Sequence, residues 1–531
     1  GTRTSTASSP WSSSTTTRTV GRTVPLGSKS APRRVSDLAR MRLFAPAATA
    51  TLGWGALAFG AEYPWAYWPL LVLCLALGLL ALVAPTPLRR RPLLSRALIV
   101  SVSAVVAVGG LYLVPLPDTV VTAVSPQRLT HDFQQLYSAV MQLEDTAASV
   151  HSATGLSVMA SRTALGFAFL VVLGVFFLGC VRAIGTVGAE GIARGVLVLG
   201  FLVALIGIIQ SASPSSATVL GFWYPRKNSP PFAPFINENH FAGWMVMAVP
   251  LAIGYAFGGV LRGVRHVRVD WRSRVLWAAS RDAGEFVLAG LAVLVMALSV
   301  VLCRSRSGVG CLVVILILFS VWAIRRQGRA GTRTFAPIYL AVVLATALAW
   351  GGIDALAGEF AATPLSMEGR LVIWRGTLAV VRDFPLVGTG LNTYGIAMLA
   401  YQDAMPEARW VEAHNDYLQL AAEGGVLLGL PAAMLLLTFV REVRRRFREG
   451  FDGTRAYWIR AGAVVGLTGI ACQELVDFSL QMPGNAALFV VLAAIAVHPG
   501  RPRTRRSPGH TAGLRRPGVA IAGRDPAHGV P

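Results

Sequence analysis

Along this chain, long apolar runs alternate with short polar stretches dense in arginine. A helix needs about 20 residues to cross a hydrocarbon core of about 30 Å. Apolar segments of that order recur at 43–60, 68–85, 97–115, 163–181, 194–211, 240–260, 285–303, 308–324, 335–353, 425–440, 456–473 and 485–498. The pattern predicts an all-α integral membrane protein with about twelve transmembrane helices.

The polar stretches fall into two kinds. Arginines crowd every second one: Arg33, Arg34, Arg40 and Arg42; Arg89, Arg90, Arg91 and Arg96; Arg182 and Arg194; the run from Arg262 to Arg281; Arg325, Arg326, Arg329 and Arg333; Arg441 to Arg448; and the tail from 501. Because cytoplasmic loops carry the excess of arginine and lysine, these blocks and both termini are expected inside. The outward connections are then 61–67, 116–162, 212–239, 304–307, 354–424 and 474–484. The segment 354–424, between spans nine and ten, is too long for a plain connection, and is expected to fold as a cap carrying short helices.

Composition agrees: 54% of residues are hydrophobic and 14% charged, against about 25% charged in soluble domains. A net charge of +22 raises the question of nucleic acid. Its confinement to alternate loops, with no DNA- or RNA-binding pattern, makes it a topology signal and a contact for anionic membrane lipids instead. Only Lys29 and Lys227 are lysines, a bias that base composition explains. Cys74, Cys180, Cys303, Cys311 and Cys472 lie in or beside spans without C-x-x-C spacing, and read as small buried hydrophobes. Residues 1–38 and 501–531 are polar, basic tails expected to be disordered and cytoplasmic, the first without the apolar core of a signal peptide. Residues 39–500 form the membrane domain.

Candidate chemistry gathers in the outward connections. The run 366–383 reads as a helix stopped by Pro385 and followed by a turn punctuated by Gly388, Gly390 and Gly395. Leu371, Trp374, Leu378 and Val381 recur at helical spacing and are expected to form its buried face. Arg370 and Arg375 flank Trp374, where snorkelling at the interface competes with a functional role. In VEAHNDYLQLAAEGGVLLGL (411–430), Asn415 or Asp416 suits the N-cap of a short helix ending near Glu423, with Gly424 and Gly425 breaking it before the next span. Capping leaves His414 unexplained. FINENHFAGWM (235–245) puts Asn239 and His240 at the mouth of span six. CRSRSG (303–308) places Arg304 and Arg306 at the outer boundary, against the inside bias of positive charge.

Four elements together, Asn237 to Gly243, Ser305 to Gly308, Gly369 to Gly390 and His414 to Gly425, resemble the O-antigen ligase and polymerase family over roughly 200–500. Glu238 stands where related sequences often carry proline. The resemblance implies a bacterial inner-membrane glycosyltransferase with its site on the periplasmic face and no cofactor or metal. It would move a glycan from undecaprenyl diphosphate to an acceptor hydroxyl, on lipid A–core in ligases or on another repeat unit in polymerases. His414, Arg306 and Arg370 match the family's reactive residues, and Arg304, Arg375, Asn239 and Asp416 are candidates for holding the diphosphate or the glycan. Guanidinium groups suit a departing diphosphate because they stabilise its charge bidentately without giving up a proton. An imidazole with an ordinary pKa of about 6.5 can take the acceptor's proton or orient the diphosphate.

The competing reading is a transporter or flippase with twelve spans. Transporters place ionisable or broken-helix elements near the bilayer midplane, whereas here the titratable groups collect in the outer loops. No G-x-x-x-x-G-K-[ST] element for ATP occurs, and Glu412, His414 and Asp416 have no recognised metal-ligand spacing.

Overall fold

A computed structural model describes residues 41–84, 93–129, 155–212, 218–225, 231–264, 279–326, 363–402, 410–450 and 453–499, with positions 272, 276, 341 and 345. The predicted tails lie outside these residues, as do 130–154 and, apart from 341 and 345, the span at 335–353. Among the described residues there is no strand, only the isolated bridges Val219–Trp223 and Phe232–Phe235.

In chain order the helices are α1 (Phe44–Leu57), α2 (Pro64–Val83), α3 (Arg96–Leu111), α4 (Asp118–Val124), α5 (Ala160–Val187), α6 (Glu190–Ser211), α7 (Glu238–Val264), α8 (Arg281–Leu302), α9 (Arg306–Arg326), α10 (Thr363–Asp383), α11 (Tyr394–Ala397), α12 (Asp416–Glu449), α13 (Thr454–Gln473) and α14 (Pro483–Val497). Eleven of the twelve predicted spans fall on these helices, and seven helices, α2, α5, α6, α7, α8, α9 and α12, are long and apolar enough to cross a membrane. Over the described residues the protein is all-α, and its apolar helices make it a multi-pass membrane protein. Helix α7 is the axis: 83% of its apolar window is buried, and Gly254 and Gly258 bring it onto the backbone of α13 at Trp458 and Arg455. Side chains larger than hydrogen would hold those helices apart, which is how small residues tighten helix contacts where the hydrophobic effect gives no preference for protein over lipid.

The two ends of the bundle differ in chemistry. At one end the arginine blocks find partners: Arg455 and Arg194 meet Glu285 at 2.7 and 3.5 Å, and Arg182 donates to the carbonyl of Ala84. Buried Arg460 donates to the carbonyls of Ala496 and His498, which the end of α14 leaves open. The opposite end gathers the connections expected to be outward. Ser305 bonds Asn239, Val158 donates to Thr389, and Asn415 donates to Leu475.

Within the segment 354–424, residues 363–402 carry the expected short helices, with one change of register. Helix α10 spans 363–383, but its buried face is Ile373, Thr377, Val380 and Phe384, while Leu371 and Leu378 are exposed. Trp374 and Val381 are half-buried. Thr377 sits inside because its hydroxyl is satisfied twice, by the carbonyl of Ile373 (2.8 Å) and the hydroxyl of Tyr394 (2.7 Å). Apolar spacing alone cannot register such a partner. Val380, Phe384, Tyr394, Ala397, Met398, Ala413 and Ala422 form a small core with Val158, from the segment before α5.

Helix α12 breaks at Gly425 (φ 53°, ψ −157°), and the break frees carbonyls and N–H groups that lipid could not satisfy. The turn after Pro385 satisfies them. Thr389 and Gly390 donate to the carbonyls of Ala422 and Glu423 at 3.0 and 2.8 Å, Val426 and Leu427 donate to those of Pro385 and Leu386 at 3.0 and 2.8 Å, and the Tyr112 hydroxyl reaches the carbonyl of Gly424 at 2.8 Å. Gly388 (φ 63°) lies against the Glu423–Gly424 backbone, where a Cβ has no room. Alanine at Gly388 should therefore lower stability by more than about 2 kcal/mol, from the left-handed backbone and the clash together, measured as a drop in the thermal unfolding midpoint in detergent.

Candidate active site

At the capped end, α9 starts from a three-residue turn after α8. Ser305 is its N-cap: the hydroxyl accepts from the N–H of Gly308 (3.2 Å) and donates to Oδ1 of Asn239 (2.6 Å). Arg306, the first helical residue, is half-buried, and Arg304 before the cap is exposed with a left-handed backbone (φ 58°). Asn239 thus holds the arginine turn through its side chain, and its carbonyl accepts from Gln473 (3.0 Å) and Ser479 (3.2 Å).

Arg370 on α10 is half-buried and interacts electrostatically with both Arg306 and Asp477. Burial lowers its pKa from the ordinary guanidinium value and the neighbouring Arg306 lowers it further, while Asp477 opposes both. Asp477 is fully buried. Burial raises its pKa, against bonds from the N–H of Phe478 and from Gln473 and against the charge of Arg370. Arg370 is thus near enough to Arg306 and to Asp477 to feel both charges. Arg375 is apart from them: five residues along α10, it lies about 140° round the helix from Arg370 and is exposed.

His414 also has a left-handed backbone (φ 52°), a conformation that costs a side-chain-bearing residue of order 1 kcal/mol and recurs where surroundings force a functional geometry. The forcing groups are visible. Trp374 of α10 donates to the carbonyl of Ala413 at 3.0 Å, the N–H of Ala413 donates to Gln419 at 2.9 Å, and Asn415 caps α12 by accepting from Tyr417 and Leu418, each at 3.0 Å. The His414 ring meets Phe478 edge-on with centroids 4.8 Å apart, and His240 meets the same phenyl ring at 4.9 Å. Asp416 bonds elsewhere: its carboxylate accepts from Gln481 (2.7 Å) and its N–H donates to the carbonyl of Glu474 (3.1 Å). Of the two expected caps, Asn415 does the capping. Glu423, conspicuous in the sequence, latches the cap by accepting from the N–H groups of Asn392 (2.9 Å) and Tyr394 (3.0 Å).

The connection between α13 and α14 is the part that sequence reasoning missed. It supplies Asp477 to Arg370, Phe478 to His240 and His414, and Gln481 and Glu474 to the start of α12. The available signal was two acidic residues, Glu474 and Asp477, at the end of an apolar span. Burial raises the pKa of Glu474, helped by the charges of Asp416 and Asp477. A carboxyl group with a raised folded-state pKa stabilises the fold fully below its unfolded value, and that contribution is lost as pH climbs towards the folded value. The unfolding midpoint should therefore fall as pH rises above the ordinary glutamate value of about 4.3. Glu474→Gln, which keeps the shape of the protonated acid, should flatten that fall when midpoints are compared across pH.

A bundle of membrane-length helices, with arginines, a histidine and buried carboxyl groups at one end, defines a multi-pass membrane protein. Its residues 291–433 match the model of the O-antigen ligase family, so the resemblance carried by the sequence motifs holds over that segment. The match contains Arg304, Arg306, Arg370, Arg375, His414 and Asp416; Asn239 and the 474–481 connection lie outside it. No curated protein matches the chain.

Proposed function

We propose that this protein transfers a glycan from undecaprenyl diphosphate to an acceptor hydroxyl, as a ligase or polymerase of surface polysaccharide, at the outer face of a bacterial inner membrane. The observation that carries this reading is that half-buried Arg370 feels the charge of half-buried Arg306, at the same capped end as His414 and inside a segment similar to O-antigen ligases. The acceptor oxygen attacks the anomeric carbon of the donor sugar, and the bond from that carbon to the diphosphate oxygen breaks. The electron pair leaves on undecaprenyl diphosphate, where Arg306 and Arg370 stabilise the added charge. His414 takes the acceptor's proton: with two guanidinium groups already serving the diphosphate, the neutral imidazole is the form that adds something they cannot. Arg304, Arg375, Asn239 and Asp416 serve binding, the first two from exposed positions and the last two by holding the turn before α9 and the start of α12. No metal or nucleotide enters, because the lipid diphosphate already activates the sugar. The twelve-span topology, with both termini inside, belongs to the same proposal.

A cysteine replacing exposed Leu378 on α10 tests the sidedness. It should react with a membrane-impermeant maleimide in intact cells, and labelling only after lysis would contradict the topology. In a deletion strain, loss of long chains identifies a polymerase, and full-length polymer stranded on undecaprenyl diphosphate identifies a ligase.

A further inference from the structure

At the end of the bundle away from the cap, a cavity of about 620 Å³ opens between α6 and α8. The first turns of these two helices supply Arg194, Arg281 and Glu285, and buried Tyr255 of α7 lines the cavity beside them. Further along, the walls are apolar: Leu197, Val198 and Phe201 of α6 face Leu288, Leu291 and Ala292 of α8. From Arg281 to Ala292 the wall follows about 16 Å of helix. Val198, Leu288 and Leu291 are exposed on the outside of the bundle, so the cavity is open on a side that faces the membrane. None of the candidate reactive residues borders it.

The polar end is held in place by its own bonds. The Tyr255 hydroxyl accepts from Nε of Arg194 at 2.8 Å and donates to Oε1 of Glu285 at 2.5 Å. Arg455 of α13 donates to the same oxygen at 2.7 Å and lies over the Tyr255 ring, 4.0 Å from its centroid. The carboxylate is therefore already engaged, and what the cavity offers a ligand is guanidinium N–H. Arg194 is fixed through Nε, with one Nη 3.5 Å from Glu285, and Arg281 is exposed on the first turn of α8. Apolar walls open to the membrane take up a hydrocarbon chain, so the arginines decide which head group comes with it. A phosphate accepts bidentately from a guanidinium, whereas a zwitterionic lipid brings the same phosphate with an ammonium that the arginines repel. Basic clefts between transmembrane helices select anionic head groups in this way. We propose that the cavity binds an anionic phospholipid, its phosphate on Arg194 and Arg281 and one acyl chain between α6 and α8. Assigning this lipid to the cytoplasmic leaflet rests on the proposed topology; the binding itself does not, and it is independent of the transfer reaction.

The test uses the full chain in detergent, with bound lipid counted by native mass spectrometry as phosphatidylglycerol, phosphatidylcholine or glycerol 3-phosphate is titrated in. Phosphatidylglycerol should bind saturably and more tightly than phosphatidylcholine. Arg281→Ala should weaken it about fivefold, the contribution of one arginine near an anionic membrane surface. Gly284→Phe fills the cavity from α8, where an added Cβ meets nothing within 4 Å, and should abolish saturable binding. Lipid-free unfolding midpoints equal to that of the wild type show that both variants fold. Arg444→Ala, at an exposed position in the arginine block of α12, should change nothing. An equal loss from Arg444→Ala would overturn the proposal in favour of a general attraction between basic loops and anionic lipid. Equal affinity for phosphatidylcholine, or binding unmoved by Gly284→Phe, would mean that no specific lipid site exists there. Glycerol 3-phosphate bound as tightly as phosphatidylglycerol would make the site one for a soluble anion and overturn the lipid assignment.

Discussion

Alanine in place of His414 is expected to slow glycan transfer by about 10²- to 10⁴-fold, the range that a positioned general base contributes, while the protein still inserts into the membrane. Alanine alone is an ambiguous probe here, because position 414 has φ 52° and a substitution disturbs the backbone as well as the ring. His414→Asn separates the two. Asparagine tolerates the left-handed region better than other side-chain-bearing residues, so this variant keeps the turn between Trp374 and Asn415 but has no group that can take a proton. It should be as inactive as alanine and more stable. An asparagine variant with wild-type transfer would mean that the position matters for its backbone alone.

The arginine pair gives the second large effect. Arg306→Ala and Arg370→Ala should each lower the transfer rate by about 10²- to 10³-fold, the usual cost of removing one group aimed at developing negative charge. Their combination should cost less than the product of the two, because both act on the same departing diphosphate. Lysine at either position should recover little, since a point charge does not reproduce a bidentate fork. Stability gives a second readout. Arg370 opposes the charge of the buried Asp477, so Arg370→Ala should be inactive with a lower unfolding midpoint.

Much of this architecture was legible because its causes are local. A span needs only its own run of apolar residues, so eleven predicted segments became helices, and the end of α10 before Pro385, the cap at Asn415 and the break at Gly425 each follow from one residue's backbone preference. What stayed hidden depends on partners distant in sequence. The buried face of α10 is set by Thr377 meeting Tyr394, and apolar spacing pointed instead to Leu371 and Leu378, which are exposed. Asn239 and Asp416 stood out as candidates for holding the diphosphate or the glycan, and their partners Ser305 and Gln481 come from other connections. Asp477 and Phe478 were invisible as site residues because only the folding of α13 and α14 brings them to Arg370, His240 and His414.

The central claim is that the capped end of this bundle breaks a sugar–diphosphate bond. Purified protein reconstituted in liposomes with an undecaprenyl-diphosphate-linked glycan and a lipid-borne saccharide acceptor should release one undecaprenyl diphosphate for each glycan joined to the acceptor, and His414→Asn should release none. Intact lipid-linked glycan that moves from one leaflet to the other with no bond broken would contradict the account and make the protein a transporter.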